Sequence, residues 1–301
     1  MKLIAAYNNG NYNVAIYDDG TKIRDNGNDS RVFTPEFPES IDLKITNYCD
    51  KGCKFCHENS SREGTHGDIM HLEFFDSLRP YTELAIGGGN PLSHPRLEEF
   101  LIKCKEHQLI PSMTVNQRHF MDNIPKIKHL VDEKLIYGLG ISLTDPDEEG
   151  FINQVQQFPN AVVHIIAGLV DLNDLYRLGD KGIKLLILGY KIFRRGEALY
   201  EKMGEQIRSN IEKLKDNLLN ILSLFDVVSF DNLAVEQLRI KNILSETQYN
   251  EFFMGEDGEY TMYIDAVKRE FAVSSTSVTR YPITNDIVEM FHQVQSKEEL
   301  R

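Results

Sequence analysis

The sequence has no apolar run long enough to cross a bilayer. Its longest, AVVHIIAGLV at 161–170, is too short and is interrupted by a histidine. The opening MKLIAAYNNG has neither an apolar h-region nor a cleavage-type site, so no secretory signal is expected there. Basic residues are in deficit: 33 Lys and Arg face 46 Asp and Glu, a net charge of -13. There is no basic stripe and no aromatic–basic interleaving, which disfavours a long nucleic acid as partner. The local cluster KIFRR (191–195) still suits one phosphate or carboxylate on a small ligand. Low-complexity tracts are absent. Cysteine is scarce, at four in 301 residues. The expected location is cytoplasmic, where thiols stay reduced, so clustered cysteines point to metal binding or chemistry rather than disulfides. What remains is an ordinary folded composition, 41% hydrophobic and 26% charged, with room for one large domain or one domain and an appendage.

Short runs broken by Asn-Gly and Asp-Gly turns fill residues 2–24, which predicts a small antiparallel meander. RDNGNDS (24–30) and TPEFPES (34–40) read as a linker. The pattern then changes. IDLKIT (41–46), ELAIGG (83–88), PSMTVN (111–116), YGLGISL (137–143), AVVHIIAG (161–168) and IKLLILGY (183–190) are candidate strands. Amphipathic segments such as 94–108 and 121–134 lie between them. This alternation predicts parallel βαβ units, and six of them suit a partial (β/α)6 TIM-like barrel. A long helix is expected over 197–224, a seventh strand within 227–235, a hairpin over 260–275 and a final helix near 284–295. The division is a meander at 1–37, a core at 38–230 and a small α+β extension at 231–301. Barrel chemistry sits at the C-terminal ends of the strands. The tail and the meander are both candidate covers of that mouth.

Cys49, Cys53 and Cys56 follow the first barrel strand in TNYCDKGCKFCH (46–57). A loop there lets three thiolates converge on one object. A closed zinc site wants four ligands and usually two separated pairs, and no second pair exists. A Cys3His site using His57 or His66 is one reading, and an inert buried set is another. A 4Fe–4S cluster with one iron left open fits three thiolates better. Cys104 falls on the apolar side of a helical pattern, as a core residue or, alternatively, a fourth ligand.

The CxxxCxxC spacing, with Phe55 before the third cysteine, resembles the motif of the radical S-adenosylmethionine superfamily. The resemblance implies that three irons are held by cysteine. The fourth is then chelated by the amino and carboxylate groups of S-adenosylmethionine, whose cleavage yields a 5′-deoxyadenosyl radical that takes hydrogen from a substrate. Other strand ends are similar to elements of that family. Gly88, Gly89, Asn90 and Pro91 match a GGEP-type turn that receives the methionine amino group, with Asn in place of Glu. Asn keeps an acceptor but brings no negative charge. Asn116 matches a TNG-like element in which Gln117 replaces Gly. Ser142 opens an SLD-like element facing the ribose or carboxylate, where Asp145 and Asp147 read as turn residues. Ile165 and Gly168 partly match an adenine-contact element, and His164 beside them reads as a core histidine or a catalytic one.

Candidate catalytic residues are His57, Lys191, Arg194 and Asn232. Lys191, Arg194 and Arg195 suit an anionic group. Glu58 and Ser60, beside His57, suit support of the cluster. The tail resembles a SPASM-type extension without its cysteines. The resemblance implies flavodoxin or ferredoxin as electron donor, and a small molecule, nucleotide or peptide as substrate. The rival readings are a non-enzymatic Cys3His zinc interaction module, a 4Fe–4S electron carrier with Cys104 as fourth ligand, and a relative that binds a cluster without turnover.

Overall fold

The computed structural model describes residues 1–27 and 32–296, so residues 28–31 of the expected linker and 297–301 of the expected extension lie outside the described residues. Strands β1 (Leu3–Asn9), β2 (Tyr12–Tyr17) and β3 (Lys22–Asp25) form the antiparallel meander. β2 alternates buried and open positions, and Tyr12, Val14 and Ile16 pack with Ala5 against Ile110 and Tyr260. Tyr81 and Tyr137 join the same cluster. These contacts cover the N-terminal ends of the barrel strands. The meander therefore does not cover the mouth, which is a correction to the expectation above. Glu39 is fully buried under it. Its carboxylate accepts from Tyr12 Oη at 2.6 Å and Arg24 Nε at 2.7 Å, and pairs with Lys22 at 3.2 Å.

The core is an open, mostly parallel sheet. β4 (Ser40–Thr46), β5 (Glu83–Gly88), β6 (Ile110–Asn116), β7 (Gly138–Ser142), β8 (Ala161–Ile166), β9 (Lys184–Leu188) and β10 (Val227–Phe230) pair in chain order, each parallel to the next. This is a partial barrel, with the seventh strand paired to β9. Helices cross between strands and bury their apolar stripes outside the sheet. On Leu97–Glu106 the stripe is Leu97, Phe100, Leu101 and Cys104, at helical spacing. The segment expected as one helix at 121–134 is split, because Gln117–Asp122 ends at Asn123 and Ile124–Asp132 begins anew with Pro125 in its first turn. The long helix is likewise divided into Arg195–Asp216 and Leu218–Leu222.

The tail joins the same sheet. β11 (Thr261–Asp265) lies parallel to β4, and β12 (Glu270–Ala272) and β13 (Tyr281–Pro282) continue antiparallel beyond it. The helix Ile287–Gln295 closes this edge with Ile287, Met290, Phe291 and Val294 buried. Among the described residues no helix is long and apolar enough to cross a membrane.

Candidate active site

A cavity of about 510 Å³ runs from the cysteine loop into the sheet interior, within the usual size range of a small-molecule site. Cys49, Cys53 and Cys56 line it as free, half-buried thiols. The loop returns onto itself: Cys49 N–H donates to Ser61 at 2.8 Å, and Cys56 N–H to Cys53 at 3.3 Å. Burial pushes the Cys49 and Cys53 thiols up, and neighbouring thiolate charge adds to the shift. Deprotonating the set therefore calls for a positively charged centre among them, as a thiolate-bound metal supplies. Among the described residues, the set whose ligand atoms lie within 4.8 Å of one another is Cys49, Asp50 and His119, and no three of Cys49, Cys53, Cys56 and His57 form one. A single tetrahedral zinc would draw its sulfurs to about 3.8 Å. The three thiols are not gathered that closely. Cys104 is fully buried in its helix stripe, its thiol pushed up to about 12 by burial, and it does not line the cavity. The fourth-ligand reading loses its candidate.

Two arginines grip the loop from outside. Arg194 donates to the carbonyls of His57 and Glu58 at 3.2 Å. Arg195 donates to Ser60 at 2.7 Å, to Asn59 Oδ1 at 2.9 Å and to Cys53 at 3.5 Å. Both are spent on the loop and neither lines the cavity. Lys191 does line it, and its Nζ donates to Ser275 Oγ at 3.2 Å. His57 lines it as well. Burial, then Lys191, push its pKa down to about 4, so the ring is neutral at pH 7. His66 is turned away, with Nδ1 2.9 Å from Thr46 Oγ1.

The glycine turn after β5 lies against the start of the cysteine loop. Gly89 N–H donates to Thr46 at 2.8 Å and Asn90 N–H to Tyr48 at 2.7 Å. A Cβ on Gly89 would meet Tyr48 O at 2.1 Å, so only glycine allows this approach. Gly88 and Gly89 line the cavity, as do Phe55, Asn116, Ser142 and Ile165. Asn90 does not. Its Oδ1 accepts from Leu92 N–H at 3.2 Å and caps the turn that Pro91 begins. Gly168, also outside the lining, packs against Ile207. Asn232 is spent on Asp257 at 2.8 Å and the Gly255 carbonyl at 3.2 Å. Gln117 is fully buried, and its Oε1 accepts from the Thr144 and Asp145 N–H groups at 2.8 Å, which fixes the loop after β7. Asp145 is itself a turn residue, accepting from Asp147 N–H at 3.0 Å.

Sequence reasoning passed over Asp42, Lys44 and Tyr263. Asp42 and Lys44 line the cavity from one face of β4, and Tyr263 lines it from β11. Lys44 Nζ pairs with Glu58 at 2.7 Å and with Asp265 at 3.0 Å, and Tyr263 Oη donates to Glu58 at 3.1 Å. A signal was present. Parallel barrel strands are buried on both faces, so two charges in IDLKIT needed a function. His164 lines the cavity too, where the missing Cβ of Gly140 makes room for its ring. Burial alone lowers its pKa to about 4.

The open parallel sheet and its strand order define the class: the chain has the radical S-adenosylmethionine fold. Among solved structures it is similar to Streptococcus suis SuiB bound to precursor peptide SuiA, at 15% identity over 86% of this chain and 65% of that one, with a TM-score of 0.59. It is similar to SuiB bound to S-adenosylmethionine at 13% identity over 86% and 66%, with a TM-score of 0.60. It is also similar to anSMEcpe with bound AdoMet, at 12% identity over 86% and 82%, with a TM-score of 0.53. The chain spans less than two thirds of SuiB. No family model and no curated protein sequence matches it.

Proposed function

We propose that this protein is a radical S-adenosylmethionine enzyme acting on a peptide. Cys49, Cys53 and Cys56 would hold the 4Fe–4S cluster. Gly88, Gly89, Asn116, Ser142 and Ile165 would line the S-adenosylmethionine site. A cluster bound there supplies one electron for reductive cleavage of S-adenosylmethionine, the source of a 5′-deoxyadenosyl radical. The observation that carries the reading is the convergence of three free thiols on one cavity with the glycine turn of β5, and no fourth cysteine lining it. A peptide is favoured over a nucleotide because SuiB was solved with a precursor peptide and anSMEcpe with the Kp18Cys peptide. Flavodoxin or ferredoxin is the proposed electron donor and the cytoplasm the proposed location.

The chain's own residues would prepare the site. Arg194 and Arg195 hold the loop carbonyls. Asn90 supplies a cap rather than a negative charge, so the methionine ammonium would be met by backbone carbonyls near Gly88 and Gly89. Walls such as Ile86, Val115, Ile166 and Leu188 exclude water from a reactive radical. The test is anaerobic reconstitution followed by iron and sulfide analysis. About four irons per chain in the wild type and loss of them in Cys53→Ala are expected. Stoichiometric zinc with no sulfide would overturn the reading.

A further inference from the structure

Asp42, Lys44, Glu58 and Lys191 line the cavity away from the strands that match S-adenosylmethionine-binding elements, on whose side Asp174 follows β8. Those strands are β5 to β8. Asp42 lies on β4, beside Ala85 of β5 and Tyr263 of β11. Lys191 follows β9, and its bond to Ser275, just beyond β12, joins the two ends of the open sheet. The tail thus completes the cavity wall opposite the cofactor side.

Asp42 stands open to this cavity. Among the described residues its carboxylate has no hydrogen bond and no ion pair within 4.0 Å. Lys191 is near enough to act on its charge but is not paired with it, and among the described residues it holds a single neutral partner, Ser275. A carboxylate and an ammonium kept apart in one enclosure are costly unless a ligand satisfies both. Their complement is a group with a hydrogen-bond donor at one end and an acceptor at the other.

We propose that Asp42 and Lys191 form a substrate subsite for one amino-acid unit, whose nitrogen donates to Asp42 and whose carbonyl or carboxylate oxygen accepts from Lys191. The inference rests on the reading above for where the cofactor sits, and it extends that reading by naming the grip on the substrate. The same chemistry comes from a free amino acid or from a unit within a peptide.

Two probes separate these sources: glycine, and N-acetylglycine N-methylamide. Each is titrated by saturation-transfer NMR into the full-length, cluster-reconstituted protein with S-adenosylmethionine bound. At least one is expected to saturate with a Kd on the order of millimolar. Asp42→Asn and Lys191→Met are each expected to weaken it about tenfold or more. Saturation by glycine alone assigns a free amino acid, by the amide alone a peptide unit, and by both the shared contacts. Failure of both probes to saturate overturns the assignment, as does binding unchanged in either variant. Thermal melts establish that each variant folds, and Asp42→Ser or Lys191→Gln replaces one that does not. Probe binding requires no cofactor cleavage. A protein that binds a probe but makes no 5′-deoxyadenosine refutes the enzyme reading alone. One that makes 5′-deoxyadenosine but binds neither refutes the subsite alone.

Discussion

Lys44 Nζ lies 2.7 Å from Glu58 Oε2, and so ties the first barrel strand to the residue two positions after Cys56. Both side chains are almost fully buried, and Asp265 on the tail strand completes the group at 3.0 Å. Burial by itself would raise the Glu58 carboxyl. Lys44, then His57 and Arg194, overcome it and hold the carboxyl below its usual range. Removing Lys44 leaves the buried Glu58 and Asp265 carboxylates without the ammonium they share. Lys44→Met is expected to lower unfolding free energy by about 3–5 kcal/mol, read by denaturant titration. Because the Glu58 pKa is depressed, its contribution is present above the ordinary carboxylate value. It fades below about pH 4. Wild type should lose stability there more steeply than Lys44→Met, and parallel slopes would contradict the pairing.

Asp42 carries the opposite sign. Burial pushes its pKa up to about 6, with Lys191 lowering it and Asp257 and Glu58 raising it. A raised carboxyl stabilises the fold below its ordinary value, and this contribution is lost as pH rises through about 6. Tyr263 faces the same cavity and stays neutral through this window, and the His57 and His164 rings, lowered to about 4, stay neutral until its acid end. Asp42→Asn is therefore expected to raise the melting temperature at pH 7.5 relative to wild type, with the gain gone at pH 4. An equal shift at both values would argue against a raised carboxyl.

Gly89 and Gly87 are two residues apart and should behave differently. A Cβ on Gly89 meets the Tyr48 carbonyl, whereas one on Gly87 meets nothing within 4 Å and points into the cavity it lines. Gly89→Ala is expected to cost about 1–3 kcal/mol of stability. Gly87→Ala should stay within about 0.5 kcal/mol while weakening S-adenosylmethionine binding, measured by calorimetry.

Arg195 reaches three carbonyl or amide oxygens of the cysteine loop with one planar fork. Lysine keeps the charge and loses that geometry. Arg195→Lys is expected to fold normally yet release iron several-fold faster to a chelator. Unchanged release would assign the arginine a role elsewhere.

The sequence announced the strands well, since β5 spans the expected residues and β6, β8 and β9 lie within a residue or two of theirs. Local alternation and βα spacing suffice for elements whose partners are neighbours in the chain. β11 beside β4 was not legible, because that pairing joins residues some 220 positions apart and leaves no local trace. Among the site residues, the cysteines and glycines announce themselves by spacing. Arg194 and Asn232 do not, because whether a polar side chain faces a cavity or a loop carbonyl depends on the turn that carries it. Asp42 and Lys44 were legible in principle, as charges on a strand that a barrel buries on both faces.

The central claim concerns what the three thiols do. Protein reconstituted anaerobically with iron and sulfide is given S-adenosylmethionine and dithionite, and 5′-deoxyadenosine is quantified for wild type beside Cys53→Ala. The account predicts 5′-deoxyadenosine from the wild type and none from the variant. A wild type that holds its cluster and never cleaves S-adenosylmethionine would contradict it.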